Sequence, residues 1–242
     1  MKIVKVKDYE EMSRKAAEIV AERMNAIEKP NIGLATGSTP EGMYQILIEK
    51  YNKGEIDFAN TTTFNLDEYV GITDDDPNSY HYFMDEHLFK HVNIPKENTH
   101  VPSGMADDLD KECREYEEAI QAAGNIDLQL LGIGNNGHIG FNEPGTSFNE
   151  RTHIIGLKDE TIQANARFFD SIDEVPTKAI TMGIGTILDS KEVLMIISGE
   201  NKRDAVTNLL KGTISEDIPA SALYNHPNAT VIIDEAAWGD NE

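Results

Sequence analysis

Four short apolar runs, each halted by glycine, hydroxyl or acidic residues, constrain this chain more than any other feature. Ile32-Gly33-Leu34-Ala35 stops at Thr36-Gly37-Ser38-Thr39-Pro40, and Thr61 to Leu66 stops at Asp67-Glu68. Asp127 to Ile133 stops at a glycine cluster, and Val193 to Ile197 stops at Ser198-Gly199. Amphipathic segments fill the intervals. Asp8 precedes a stripe formed by Met12, Ala16, Ile19, Val20, Met24 and Ile27, which Pro30 ends. Further helices are predicted from Met43 to near Gly54, over 78–89, over 109–123 and over 201–210, with a last strand over 230–233. Continuous apolar strands alternating with helices predict a mostly parallel sheet covered on both faces. The expectation is one α/β domain over 1–242, Rossmann-like, with three layers (α/β/α). No linker, low-complexity tract or internal repeat divides it.

In such a sheet, ligands bind beyond the carboxyl ends of the strands. The loops after Ala35, Leu66, Ile133 and Ile197 therefore carry the chemistry. Gly132-Ile133-Gly134-Asn135-Asn136-Gly137 matches a dinucleotide-binding pattern, but that fingerprint must open a helix. The continuation His138-Ile139-Gly140-Phe141-Asn142-Glu143-Pro144-Gly145 is too rich in Gly and Pro for one. What this loop does hold is Asn136, His138 and Glu143, a histidine beside a carboxylate and an amide, which suits proton transfer. One His and one nearby carboxylate fall short of the ligands a metal needs.

Asp67 follows a buried-looking strand, where apolar walls raise a carboxylate's pKa and make it a base. A plain acid pair at a helix start is the competing reading of Asp67-Glu68. Thr36, Gly37, Ser38 and Thr39 join strand to helix and can cradle a phosphate or sugar oxygens, although no Walker lysine follows. Lys202, in the turn after Ile197, stands near a second helix start, where a phosphate would find a cation. Arg167 is a lone cation between apolar residues.

Composition narrows the substrate. Lys+Arg number 21 against 43 Asp+Glu, a formal net charge of −22. A field of that sign disfavours nucleic acid and anionic membrane surfaces. The one cysteine, Cys113, cannot form an internal disulfide, and no apolar run suits a signal peptide or a membrane span. The expected location is the cytoplasm. The residues alone predict an enzyme acting on a small phosphorylated or hydroxylated metabolite, without naming the reaction.

Four segments occur together and in order: 34–40, Phe64-Asn65-Leu66-Asp67-Glu68-Tyr69-Val70-Gly71, 132–144, and Ser198-Gly199-Glu200-Asn201-Lys202. With them, the chain resembles the isomerising glucosamine-6-phosphate deaminases from near its first strand to its last. The resemblance implies conversion of D-glucosamine 6-phosphate and water to D-fructose 6-phosphate and ammonia, with no cofactor and no metal. It assigns ring opening to His138, oriented by Glu143 and Asn136, and proton transfer from C2 to C1 to Asp67. Phosphate binding falls to Thr36, Gly37, Ser38, Thr39, Arg167 and Lys202. Two relatives of other activity supply the alternatives: a 6-phosphogluconolactonase-type hydrolase, and a non-catalytic sugar-phosphate-sensing domain.

The chain departs from the family pattern in two places. Many members have Asp where Asn136 stands, so the relay here would rest on the charge of Glu143 alone. The hexameric, allosterically activated members bind N-acetylglucosamine 6-phosphate with a basic pair, and the matching positions here are His153 and Ile155. The sequence also stops at Glu242, short of those members' C-terminal extension. Weak or absent allosteric activation, in a monomer or small homo-oligomer, is the expectation. The segment from about 147 to 177 is a candidate lid.

Overall fold

The computed structural model describes residues 1–241. In chain order its elements begin with β1 (Lys2–Val6), α1 (Tyr9–Ala26), β2 (Asn31–Leu34), α2 (Ser38–Asn52), β3 (Thr62–Asn65) and β4 (Asp67–Tyr69). They continue with α3 (Tyr80–His87), β5 (Thr99–His100), α4 (Leu109–Ala122), β6 (Leu128–Leu131), β7 (His153–Gly156) and α5 (Asp159–Asn165). The last are β8 (Lys178–Thr181), α6 (Ile184–Leu188), β9 (Glu192–Ile197), α7 (Arg203–Leu210), β10 (Ala229–Asp234) and α8 (Glu235–Trp238).

Seven strands form one parallel sheet in the order β1-β10-β9-β6-β2-β3-β5. Every residue of β2, β6 and β9 is buried. Successive side chains of a strand point to opposite faces, so both faces of the sheet are covered, as the mostly apolar strands predict. The buried apolar side chains make one continuous cluster. Short polar side chains start the helices. Asp8 accepts from the Glu11 amide, Ser79 from the Tyr82 amide and Asp108 from the Lys111 amide, at 2.9–3.0 Å. Cys113 is buried on α4. Among the described residues, no helix is long and apolar enough to cross a membrane.

Beyond β5 and the short helices α5, α6 and α8, the sequence pattern does not predict two further features. β1 is an edge strand whose Lys2 and Lys5 break the apolar pattern. The second is a three-stranded antiparallel sheet, β4-β8-β7, standing beside the main one. Leu66 is the single residue between β3 and β4. Its N–H donates to the Leu34 carbonyl of the main sheet (3.2 Å), and its carbonyl accepts from the Met182 amide (2.7 Å), just past β8. The chain thus switches sheets at Leu66, and Asp67 emerges at the junction, paired in register with Thr181.

Sheet order also locates the crevice. From β2 the chain builds outward through β3 and β5, whereas β6, β9 and β10 lie on the other side. The loops leaving the adjacent strands β2 and β6 therefore part, and a cavity opens beyond their carboxyl ends.

Candidate active site

A cavity of about 680 Å³ occupies that crevice, large enough for a sugar phosphate. Its walls include Thr36, Gly37, Ser38, Thr39, Asp67, Asn136, His138, Glu143 and Lys202, brought from four separate segments that follow β2, β3, β6 and β9. Tyr80, Phe141, Lys158 and Thr161 line it too, and sequence reasoning missed all four. Arg167 is not among the lining residues. It is exposed in a 3-10 turn after α5, with its guanidinium 4.6 Å from the centre of the Phe168 ring.

The turn after β2 is rigid for identifiable reasons. Gly37 has φ +97°, in the left-handed region that favours glycine, and no side chain caps the helix behind it. The first amides of α2 are thereby left facing the cavity. The buried Tyr44 hydroxyl donates to the Ala35 carbonyl (2.5 Å), and Tyr9 donates to the Ser38 carbonyl (2.8 Å). Across the cavity, Asp234 anchors the turn after β9. It accepts from the Ser198 hydroxyl (2.5 Å) and from the Gly199 amide (3.2 Å). Lys202 ends that turn. Among the described residues it has no carboxylate partner, and burial pushes its pKa down. An unpaired, half-buried cation opposite a helix start suits an anion.

The loop from 132 to 145 contains no helix, as its Gly and Pro content predicts. It is stitched to β8 instead. Phe141 donates its amide to Thr181 Oγ1 (3.1 Å), and Asn142 donates to the Ile139 and Met182 carbonyls (2.9 Å each). Within it, Asn136 stands between His138 and Glu143. Its Nδ2 donates to Glu143 Oε2 (2.7 Å), and its Oδ1 lies 2.7 Å from His138 Nδ1. A carboxylate accepts, so the amide's NH2 faces Glu143 and its oxygen faces the imidazole. His138 Nδ1 must then carry the proton, which leaves Nε2 as the ring's basic nitrogen. The direct approach of His138 to Glu143 is longer, 3.7 Å. Burial lowers the His138 pKa, Glu143 opposes that shift, and Lys202 and Lys158 add to it. A neutral imidazole at neutral pH follows, ready to accept a proton.

The ring rests directly on Gly134. A Cβ at Gly134 would overlap His138 Cε1, Nδ1 and Nε2, and no other residue supplies its nearest contacts. Gly134→Ala is therefore expected to displace the imidazole and lower kcat by about 10²-fold, with the fold intact by circular dichroism. Wild-type kcat in that variant would remove His138 from the chemistry.

Asp67 is 7% exposed, and its pKa is raised to about 8, first by burial and then by the like charge of Glu68. Among the described residues no hydrogen bond lowers it. The Gly140 backbone passes close enough that a Cβ there would lie 3.6 Å from Asp67 Oδ2. Glu68 points the other way, into donors from α3. The acid pair of the sequence is thus two groups in two environments: one bare in the cavity, the other at a helix start. Among the described residues, no three His, Cys, Asp or Glu side chains are grouped to hold a metal.

Residues 7–233 match the family described as glucosamine-6-phosphate isomerases/6-phosphogluconolactonase. The glucosamine-6-phosphate deaminase of Thermoanaerobacter pseudethanolicus is 56% identical over 239 residues, covering 98% of this chain and 94% of that one. Glucosamine-6-phosphate deaminase 1 of Bacillus subtilis is 54% identical over 239 residues, covering 98% of each. A solved structure described as a monomeric glucosamine-6-phosphate deaminase superposes with a TM-score of 0.94 at 53% identity, covering 98% of both chains. The 6-phosphogluconolactonase of Trypanosoma cruzi shares the fold alone, at TM-score 0.78 and 19% identity.

Proposed function

Because the chain belongs to the glucosamine-6-phosphate isomerase/6-phosphogluconolactonase family, we propose that it converts D-glucosamine 6-phosphate and water into D-fructose 6-phosphate and ammonia. The observation that carries this reading is Asp67, a buried carboxylate poised near neutrality in the same cavity as the His138–Asn136–Glu143 chain. Ester hydrolysis has no use for a carbon-acid base, and a binding module has no use for either group.

The geometry supports the following steps. His138 Nε2 takes the proton of the C1 hydroxyl and returns one to the ring oxygen, opening the pyranose. Asn136 passes the orienting influence of Glu143 to Nδ1, and this suits a relay that lacks a second carboxylate. Asp67 then removes the C2 proton of the open aldose while O1 takes up a proton, giving an enolamine, and delivers the proton to C1 as the amine gives up an N–H proton, giving an imine at C2. Water adds to that carbon and ammonia leaves, which produces the ketose. Electrons are neither gained nor lost, and proton transfers carry every step.

The amides of Gly37, Ser38 and Thr39, with Lys202, hold the phosphate and align C1 and C2 with their partners. Arg167 joins them if the 147–177 segment moves inward. Lys202→Met is expected to raise KM roughly 10–100-fold, the loss of one charged hydrogen bond, with kcat far less affected. An unchanged KM would move the phosphate elsewhere.

Incubation with glucosamine 6-phosphate, with ammonia and fructose 6-phosphate measured, tests the reaction itself. Hydrolysis of 6-phosphogluconolactone with neither product formed would overturn it. The chain acts in the cytoplasm, as a single folded unit, on a small molecule and not on nucleic acid. It is a monomer without activation by N-acetylglucosamine 6-phosphate. His153 Nδ1 donates to the Arg151 carbonyl at 2.7 Å, and Ile155 offers no charge to an effector. Sedimentation at 26.9 kDa and a hyperbolic rate curve are expected. A sigmoidal curve straightened by that effector would refute the assignment.

A further inference from the structure

Glu68 is 1% exposed, although it neighbours the proposed base. Its oxygens accept from four donors. The Tyr69 amide reaches Oε1 at 2.8 Å, the Tyr80 amide reaches both oxygens at 3.0 Å, and the His81 amide reaches Oε2 at 3.0 Å. His81 Nδ1 lies 2.7 Å from Oε2. Three of these donors come from the first turn of α3, where backbone N–H groups lack helical partners and favour an anion. The same His81 nitrogen lies 3.3 Å from Asp74 Oδ1, on the outer side.

The two residues flanking this carboxylate both reach the cavity. Asp67 precedes it on β4. Tyr80, whose amide bridges both of its oxygens, presents its side chain to the cavity wall. The Tyr80 ring is stacked near Phe141 (centroids 6.4 Å, 9° between planes), and its hydroxyl donates to that of Tyr69 at 3.3 Å. One buried group therefore fixes the strand that delivers the base and the helix that delivers the wall facing it.

We propose that Glu68 and His81 form a positioning pair for the C2-to-C1 proton transfer, with Glu68, held by His81 and the start of α3, setting both the aim and the charge environment of Asp67. This rests on the deaminase reading of the cavity. Neither residue touches substrate, so each acts through Asp67. The charges around Asp67 show why Glu68 is singled out. From β4 it faces Glu68 and Tyr69, from α3 Tyr80 and the His81 ring behind Glu68, and from α4 Tyr116. Across the cavity stand His138, Glu143, Lys158 and Lys202. Burial and Glu68 are the two causes that raise the Asp67 pKa, in that order.

Two measurements on the intact enzyme test the pair. The first reads Asp67 directly, by carbon-13 NMR titration of its carboxyl in wild type and Glu68→Gln without substrate, beside the pH profile of kcat/KM. Removing a like charge favours the ionised carboxylate, so both midpoints should fall by about one unit, a tenfold change in the ionisation constant. An unmoved midpoint in folded Glu68→Gln overturns the proposal. The NMR arm does not depend on the reaction, and wild-type turnover of glucosamine 6-phosphate reports on the reaction separately.

The second covers a Glu68→Gln chain that fails to fold. His81→Ala should lower kcat about tenfold or more with KM within about threefold, and His81→Asn, which keeps a side-chain N–H donor, should recover most of it. A folded His81→Ala enzyme with wild-type kcat, or a loss that Asn does not relieve, overturns the pair.

Discussion

Asp67→Asn is expected to lose roughly 10²–10⁴-fold of turnover, the range for one acid/base group, and at the same time to become more stable. The stability gain follows from linkage. The folded state holds the Asp67 pKa near 8 against an ordinary value of 3.8. A carboxyl with a raised folded pKa contributes fully below the unfolded pKa, and that contribution is lost as pH rises through the folded one. Wild type and Asp67→Asn should therefore unfold alike at pH 3.5 and diverge progressively between about pH 4 and pH 8. The ceiling on the difference is roughly 5–6 kcal/mol, being 8 − 3.8 units at about 1.36 kcal/mol each. That corresponds to a rise in Tm on the order of 10 °C for a chain of this size. Thermal unfolding at pH 5 and pH 8, beside turnover at pH 8, makes the comparison. Wild-type kcat/KM should climb with pH towards the same value, because only the ionised carboxylate removes a proton. Equal Tm values at pH 8, or a flat kcat/KM between pH 6.5 and 9, would contradict a strained base. Activity and stability are opposed at this one residue.

Much of this arrangement is legible in the residues. β2, β6 and β9 are mostly apolar, with Asn31 and Glu192 at strand starts and Gln129 the one polar residue inside β6, because parallel strands buried on two faces admit few polar side chains. Their carboxyl ends had to carry the ligand groups, and the turns at Gly37, Gly134 and Gly199 do line or adjoin the cavity. The antiparallel sheet was not legible. β4 consists of Asp67, Glu68 and Tyr69, a composition disfavoured in strands, and its pairing with β8 spans more than a hundred residues. Local pattern carries no information on such a pairing. The same gap hid the roles of the acid pair. Both Asp67 and Glu68 are consistent with a helix start, and Glu68 does bind one, that of α3, which begins twelve residues further along the chain and is reached through space. Only the fold reveals that its neighbour is left bare. Tyr80 and Lys158 escaped for a similar reason, since a tyrosine or lysine at a helix start has no signature until the helix is placed against a cavity. Arg167 shows the reverse. The resemblance assigns it to phosphate, yet the side chain lies against Phe168, outside the cavity.

His138→Gln should remove a different step, and the two losses can be told apart. Turnover is expected to fall by roughly 10²–10⁴-fold, because the glutamine amide can neither accept a hydroxyl proton nor return it to the ring oxygen. What remains is whatever substrate opens unaided in solution. Asp67 is untouched in this variant and stays buried in the same cavity. Each open-chain molecule that binds should therefore still pass through the enolamine. In deuterium oxide the residual fructose 6-phosphate of His138→Gln should carry solvent deuterium at C1 in the wild-type proportion, since the partition between internal return and exchange belongs to Asp67. Product from Asp67→Asn should lack that proportion. Mass spectrometry of the two products decides. If His138→Gln alters the label while Asp67→Asn preserves it, the two assignments are exchanged. The Asn136 bridge sharpens the expectation, because it fixes the proton on Nδ1 and leaves Nε2 basic. Glutamine in place of His138 can keep a hydrogen bond to Asn136 Oδ1, so the loop should stay folded while the basic nitrogen is lost.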